Sequence, residues 1–337
     1  MFLSLFEHVY SNQQESIAVE SRKIIKVSIS IYNAIQKQYP KSKLEWDQYH
    51  GIIITGSLSS AYYCTDDDND DGGGQNYDWI SYLIHQIQKN IHPFRRKTLG
   101  VCFGHQIYAH SFSFDGDSSS LRTKLNMVHN NDNDYNDNNM TYDHNEAITQ
   151  ITCDSSREGQ AVKCPHGVQV GIRSFNSSSF FYNKRQQHNQ NNENQEDGGR
   201  VITMLYTHGD MVQSIPKCAL SLGGTDTVPI QACAYFSSHD ERDMFITSKN
   251  SNNNISLNAH YDRTVNPYAI TFQGHPEYAS QTGVATYFGI LTHMKEQKKM
   301  SHDALECARK EALENYELIQ QNCVNLMQDV MSLLGWL

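Results

Sequence analysis

Apolar residues in this chain come in short bursts with polar stretches between them. Gly51–Thr55 (GIIIT) is a brief aliphatic run bounded by glycine, which predicts a buried strand. Leu99–Cys102 predicts a second strand, entering a helix from about Gly104 to Phe112. Further strands are expected over Val201–Tyr206, Ile230–Phe236 and Tyr268–Gln273. Helical spacing marks residues 21–38, through Ile24, Ile25, Val27, Ile31, Ala34 and Ile35, and a further helix is read over Asp78–Asn90. In the tail, Ala312, Tyr316, Ile319, Cys323, Leu326, Val330 and Leu333 alternate at four- and three-residue steps, predicting one helix over about 301–334. Three heptads are short for a dimer seam, so this face is expected to pack on its own domain. Before residue 51 only Met1–Leu5 offers a first strand. Strands alternating with helices predict an α/β fold with a mostly parallel central sheet flanked by helices.

Four stretches break this pattern: about 64–76, 113–145, 183–200 and 237–267. They are rich in Asn, Asp, Gln, Ser or Gly and too poor in aliphatics to offset the entropy of ordering, so they read as surface loops. Together they hold 95 of the 337 residues; the other 242 make one α/β domain of ordinary size, so the whole chain, 1–337, is read as a single domain with long polar insertions. The Asp runs lack the alternating acids, central Gly and distant Glu of a calcium loop.

Charge adds little to the fold but narrows the partners. The formal net charge is −10, and the stretches at 64–76 and 113–145 carry −9 of it. No basic face is left to neutralise phosphates, so no nucleic-acid partner is expected. No apolar run approaches a membrane span, and Met1–Phe6 is cut short by Glu7 and His8, too brief for a signal peptide. The eight cysteines form no CxxC pair and are read as reduced thiols of a cytoplasmic protein. The 16 histidines show no spacing that selects a metal.

Three segments carry candidate chemistry. In Leu99-Gly-Val-Cys-Phe-Gly-His-Gln106, Cys102 has a glycine two residues to either side. This is the pattern of a nucleophile elbow, where the chain turns from strand into helix and a Cβ on either neighbour would crowd the bend. A free thiol is only a few per cent ionised at neutral pH, and a helix N-terminus or an adjacent imidazolium increases the thiolate fraction. In Phe272-Gln-Gly-His-Pro-Glu-Tyr278, His275 follows a strand and Glu277 lies two residues on. With the backbone extended through Pro276, the two side chains would share a face, and Glu277 would orient the imidazole towards the thiol. In Gly51-Ile-Ile-Ile-Thr-Gly-Ser-Leu58 a strand ends in a loop whose main-chain N–H, at Gly56 or Ser57, would join that of Phe103 as an oxyanion hole.

Together GVCFGHQ and GHPEY resemble the class I (triad) glutamine amidotransferase family. TGSLSSAY, Tyr-Asp-Trp-Ile at 77–80 and Thr-His-Gly-Asp at 207–210 follow in the family's order. The resemblance covers about 45–112 and 160–300 outside the insertions, and it is nearest the stand-alone branch of γ-glutamyl peptidases and GMP-synthase-like amidotransferase domains. It implies a flavodoxin-like sheet. It also implies Cys102 as nucleophile, His275 as general base and then acid, and Glu277 as the orienting carboxylate. Gln106 is implied to hold the γ-glutamyl moiety, and His208 and Asp210 match a family H-x-D beside the pocket. The implied reaction is hydrolysis of a γ-glutamyl amide, in glutamine or a γ-glutamyl peptide, through a γ-glutamyl thioester, with no metal or organic cofactor.

Two other functions fit the same motifs. One is an amidotransferase subunit supplying ammonia to a separate synthase; no ATP-binding P-loop is present, so the synthase would be another polypeptide. The other is a non-catalytic binding protein on the same fold. A small γ-glutamyl substrate is the expected partner, with a synthase or a second copy of the chain as further candidates and no membrane partner.

Overall fold

A computed structural model describes residues 1–15, 27–62, 78–113, 159–177, 200–250 and 265–337. In chain order the elements are α1 (Phe2–Glu15), α2 (Lys43–Trp46), β1 (Ile52–Ile54), α3 (Asp78–Gln86), β2 (Thr98–Val101), α4 (Phe103–His110), β3 (Gln160–Lys163) and β4 (Gln169–Asn176). They continue with β5 (Val201–His208), β6 (Asp210–Ser214), β7 (Ala219–Gly223), β8 (Ala232–Tyr235), α5 (His239–Asn250), β9 (Ala269–Phe272), α6 (Gln281–Glu296), α7 (His302–Glu314) and α8 (Tyr316–Leu333).

The central sheet runs β1-β2-β9-β8-β7. β1, β2 and β9 pair in parallel, with Ile54 opposite Gly100 and Val101 opposite Phe272. β8 is antiparallel to both β9 and β7, so four of the five strands point one way. The sheet is mixed but mostly parallel, as the alternation of strands and helices predicts. Its middle strands are buried on both faces and so read as nearly unbroken apolar runs, and their side chains sort by a period of two. Leu99, Val101, Ile270 and Phe272 pack into a core shared with α1, α6, α7 and α8. Ala269, Cys233 and Tyr235 point the other way, into a core with Trp79, Ile80 and Ile84 of α3 and Ile107 and Tyr108 of α4. Two antiparallel ribbons, β3-β6 and β4-β5, complete the architecture. Val201–Tyr206 is therefore a strand of a ribbon and not of the central sheet.

Several elements differ from the sequence expectation. Met1–Leu5 is not a first strand: Phe2–Glu15 is a helix. Phe2, Leu5, Phe6 and Val9 form a helical stripe, and the last three are buried in the core with α8. Within 21–38, residues 21–26 lie outside the described part; from Val27 to Gln38 the chain has no α-helix, only a 3₁₀ turn at Ala34–Gln36 capped by Asn33. Ile31 is 90% exposed, so no apolar face rewards a helix there. The tail is two helices broken at Asn315, whose side chain donates to the Glu311 carbonyl. The predicted stripe is buried against the chain's own core at Ala312, Ile319, Cys323, Leu326 and Val330.

Of the stretch 237–267, His239–Asn250 is helix α5. Ser238 Oγ accepts from the Glu241 N–H at its start, and Phe245 packs on Phe236. The insertion at 64–76 and nearly all of 113–145 and 183–200 lie outside the described residues. Among the described residues no helix is long and apolar enough to cross a membrane, and no group of three or more His, Cys, Asp or Glu is placed to hold a metal ion.

Helix α1 gives a direct test of this packing. Leu5 is 2% exposed. Leu5→Ala is expected to cost about 2–5 kcal/mol, seen as a lower urea midpoint with an unchanged slope.

Candidate active site

β2 delivers Cys102 to the carboxyl end of the parallel strands. The Cys102 N–H still donates to the Phe272 carbonyl, while its own carbonyl already accepts from the N–H groups of His105 and Gln106. Strand thus becomes helix within one residue, and Cys102 takes φ 54°, ψ −108°. A side chain at positive φ is costly and persists only where its surroundings hold it. The flanking glycines make the bend feasible. A Cβ on Gly100 would stand 2.7 Å from Thr271 Cγ2, and one on Gly104 would run into the Ile54 carbonyl oxygen. As the first residue of α4, Phe103 has no acceptor for its N–H inside the helix, and that N–H sits at the positive end of the helix dipole.

β9 delivers His275. Its N–H donates to the Leu205 carbonyl, tying the end of β9 to β5. Its Nδ1 lies 2.8 Å from Glu277 Oε1, and both side chains are buried. The intervening backbone is not extended: Pro276–Ala279 forms a 3₁₀ turn, which brings Glu277 back under the imidazole. Tyr278 stacks on the ring at 4.2 Å and 6°. Burial works against the charged imidazole, but Cys102 and Glu277 together outweigh it and hold the His275 pKa up at about 10. His275 is therefore an imidazolium at neutral pH, stabilised by the carboxylate on one side and the sulfur on the other.

The loop after β1 lies against this pair. A Cβ on Gly56 would sit 3.2 Å from His275 Cε1 and 3.6 Å from Cys102 Cβ. Ser57 turns its hydroxyl back to accept from the Ser59 N–H. Gly56, Ser57 and Phe103 thus belong to segments that meet around Cys102. Phe103 directs its ring away, onto Trp79.

Gln106 and His208 also face inwards. The Gln106 amide nitrogen donates to the Asp210 carbonyl at 3.0 Å and to Gln273 Oε1 at 3.1 Å. His208 Nδ1 lies 2.8 Å from the same carbonyl, which can only accept, so Nδ1 carries the proton. Burial pushes the His208 pKa down to about 4, against the pull of that carbonyl. Its Nε2 is then a buried acceptor with no hydrogen-bond partner among the described residues. His105 packs beneath the sheet, with Nδ1 2.7 Å from Thr271 Oγ1, and burial keeps it neutral.

Two residues at the site carry no role in the sequence reading. Thr207 places its hydroxyl 3.1 Å from His275 Nε2 and its carbonyl 4.0 Å from Cys102 Sγ. Gln273 points its amide nitrogen at Cys102 Sγ, 3.9 Å away. Both lie inside the quoted motifs, Thr-His-Gly-Asp and Phe-Gln-Gly-His-Pro-Glu-Tyr, and that adjacency is the signal that marks them.

The structure aligns with a glutamine amidotransferase from Thermotoga maritima over 97% of this chain and 91% of that one, with a TM-score of 0.50 and 13% identity. The fold is that of a glutamine amidotransferase. Cys102 and His275 lie at the carboxyl ends of adjacent parallel strands of that fold, where open α/β sheets bind ligands. The glutaminase domain of Trypanosoma brucei CTPS is more distant, with a TM-score of 0.37 and 13% identity over 85% of this chain and 86% of that one. In sequence, 77 residues are 36% identical to gamma-glutamyl peptidase 5 of Arabidopsis thaliana. That match covers 23% of this chain and 25% of the relative, so it spans about a quarter of the relative's length. No family model matches the chain.

Proposed function

We propose that this amidotransferase-fold chain hydrolyses γ-glutamyl amide bonds with Cys102 as nucleophile. The observation that carries the reading is the pairing of a cysteine held at positive φ on a strand-to-helix bend with an imidazolium that Glu277 holds at 2.8 Å. The Cys102 thiolate attacks the γ-carbonyl carbon, and the carbonyl π pair moves to oxygen. The N–H of Phe103 and a main-chain N–H of the Gly56–Ser57 loop hold that oxyanion, each donor worth about 10²–10³ in rate. On collapse the C–N bond breaks, and His275 gives its proton to the departing nitrogen. Water then attacks the γ-glutamyl thioester. His275 takes a proton from that water, and glutamate leaves with the thiolate restored. His208 Nε2, a buried acceptor, suits a substrate N–H.

Purified protein is expected to release glutamate from a panel of glutamine, glutathione and glutathione conjugates. Turnover of the peptides favours a γ-glutamyl peptidase; turnover of glutamine alone favours an ammonia donor to a synthase. Folded protein that turns over none of them would overturn the enzymatic reading in favour of a binding protein.

A further inference from the structure

The loop that follows β1 has no regular structure of its own, yet at Gly56 it comes so near the pair that an added Cβ would stand 3.6 Å from Cys102 Cβ and 3.2 Å from His275 Cε1. What holds it there is a question of long-range bonds. Two of them leave the loop for one carboxylate: Ser60 Oγ donates to Asp210 Oδ2 at 2.6 Å, and Tyr62 Oη donates to Asp210 Oδ1 at 3.0 Å. Hydroxyl bonds to an ionised carboxylate are about twice as strong as neutral ones. Through its main-chain carbonyl the same residue receives Gln106 of the elbow helix and His208 of β5. Gln106 in turn bonds Gln273, whose amide faces Cys102 Sγ. Asp210 thus joins the loop, the elbow helix and the end of β5, and both carboxylate oxygens are spent on the loop.

We infer that Asp210 is the positioning residue that sets the Gly56–Ser57 main chain over Cys102. It touches no reacting atom. It acts by fixing where the loop's N–H stands relative to the sulfur. This inference rests on the proposed hydrolysis for its kinetic consequences but not for the tether itself. A displaced oxyanion donor lowers the rate of acyl transfer, whereas alkylation of a thiolate by iodoacetamide develops no oxyanion and is indifferent to the donor.

The experiment separates these. Asp210→Ala is expected to lower kcat by about 10²-fold with KM within about threefold, as a misplacement of about 1 Å does. The rate at which iodoacetamide alkylates Cys102, read on the Cys102 peptide by mass spectrometry, should stay within about twofold. Amide hydrogen exchange over 56–62 should quicken. Asp210→Asn, whose amide one of the two hydroxyls can accept from, should recover part of the loss. The pair Ser60→Ala and Tyr62→Phe should reproduce most of it and add little on top of Asp210→Ala. An unchanged kcat, an unchanged exchange rate over 56–62, or a full additive loss in the combined variant would each overturn the inference. If the unaltered protein releases no glutamate, the hydrolytic reading fails, and the exchange rate over 56–62 alone still decides whether Asp210 holds the loop.

Discussion

Cys102→Ser is expected to lower glutamate release from the best γ-glutamyl substrate by about 10⁴-fold or more, with the fold retained. The size of the effect follows from the state of His275. Its pKa stands at about 10 because Cys102 and Glu277 both favour the imidazolium. The imidazole beside Cys102 is therefore charged and poised to give up a proton rather than to accept one. A serine hydroxyl does not ionise in that setting, and removing the sulfur also removes the larger support of the imidazolium. The oxygen would have to attack undissociated, losing its proton to His275 only in the transition state. Serine has nearly the shape of cysteine and can take the same bend between Gly100 and Gly104, so circular dichroism and the urea midpoint should barely change. Glutamate release at substrate saturation, measured against those two controls, checks the prediction. A serine variant retaining a tenth of the activity would mean that the sulfur is not the nucleophile.

The same chemistry made the site legible in the sequence. A strand that must end in a sharp bend needs short side chains around the bend, and Gly100 and Gly104 advertise it. The structure shows the reason, since a Cβ at Gly104 would enter the Ile54 carbonyl. The short apolar runs at 98–101 and 269–272 are equally plain, because a strand covered on both faces has no polar alternation to confuse it, and the three isoleucines of 52–54 mark the half-buried outer strand beside them. What the sequence hides are the choices made by distant partners. Met1–Leu5 fits a strand as well as a helix, and only the burial of Phe6 and Val9 against α8 selects the helix. The isoleucines of 21–38 have helical spacing but, at Ile31 and Ile35, nothing to pack against. The direction of β8 is set by its neighbours and leaves no mark on its composition. Thr207 and Asp210 are polar residues whose meaning lies in atoms 68 and 150 positions away, at His275 and Ser60. No local pattern encodes such a pairing.

Glu277→Gln tests the other half of the pair and should cost about 10³-fold in kcat/KM, within the range seen when an orienting carboxylate is made neutral. Glu277 Oε2 has no hydrogen-bond partner among the described residues, so the buried carboxylate is offset chiefly by the imidazolium bonded to Oε1. Glutamine can keep the hydrogen bond but not the charge. Cys102 remains the larger support of the imidazolium, and the loss of Glu277 removes the next, so the His275 pKa falls below about 10. The sign of the pH effect follows. His275 must hold a proton to release the amine, so activity of the unaltered protein should persist on the alkaline side until the pH approaches about 10 and then decline. In the variant that decline should begin at lower pH. Stability follows the same window. A histidine whose folded pKa is raised contributes fully below its ordinary value of 6.5 and loses that contribution as pH rises through about 10. The urea midpoint of the unaltered protein should therefore fall across that interval, and that of Glu277→Gln should fall earlier in it. A pH–rate profile of kcat/KM from pH 6 to about 10.5, run on both proteins, decides the matter. An alkaline limb that does not move on loss of the carboxylate would mean that a group other than His275 delivers the proton.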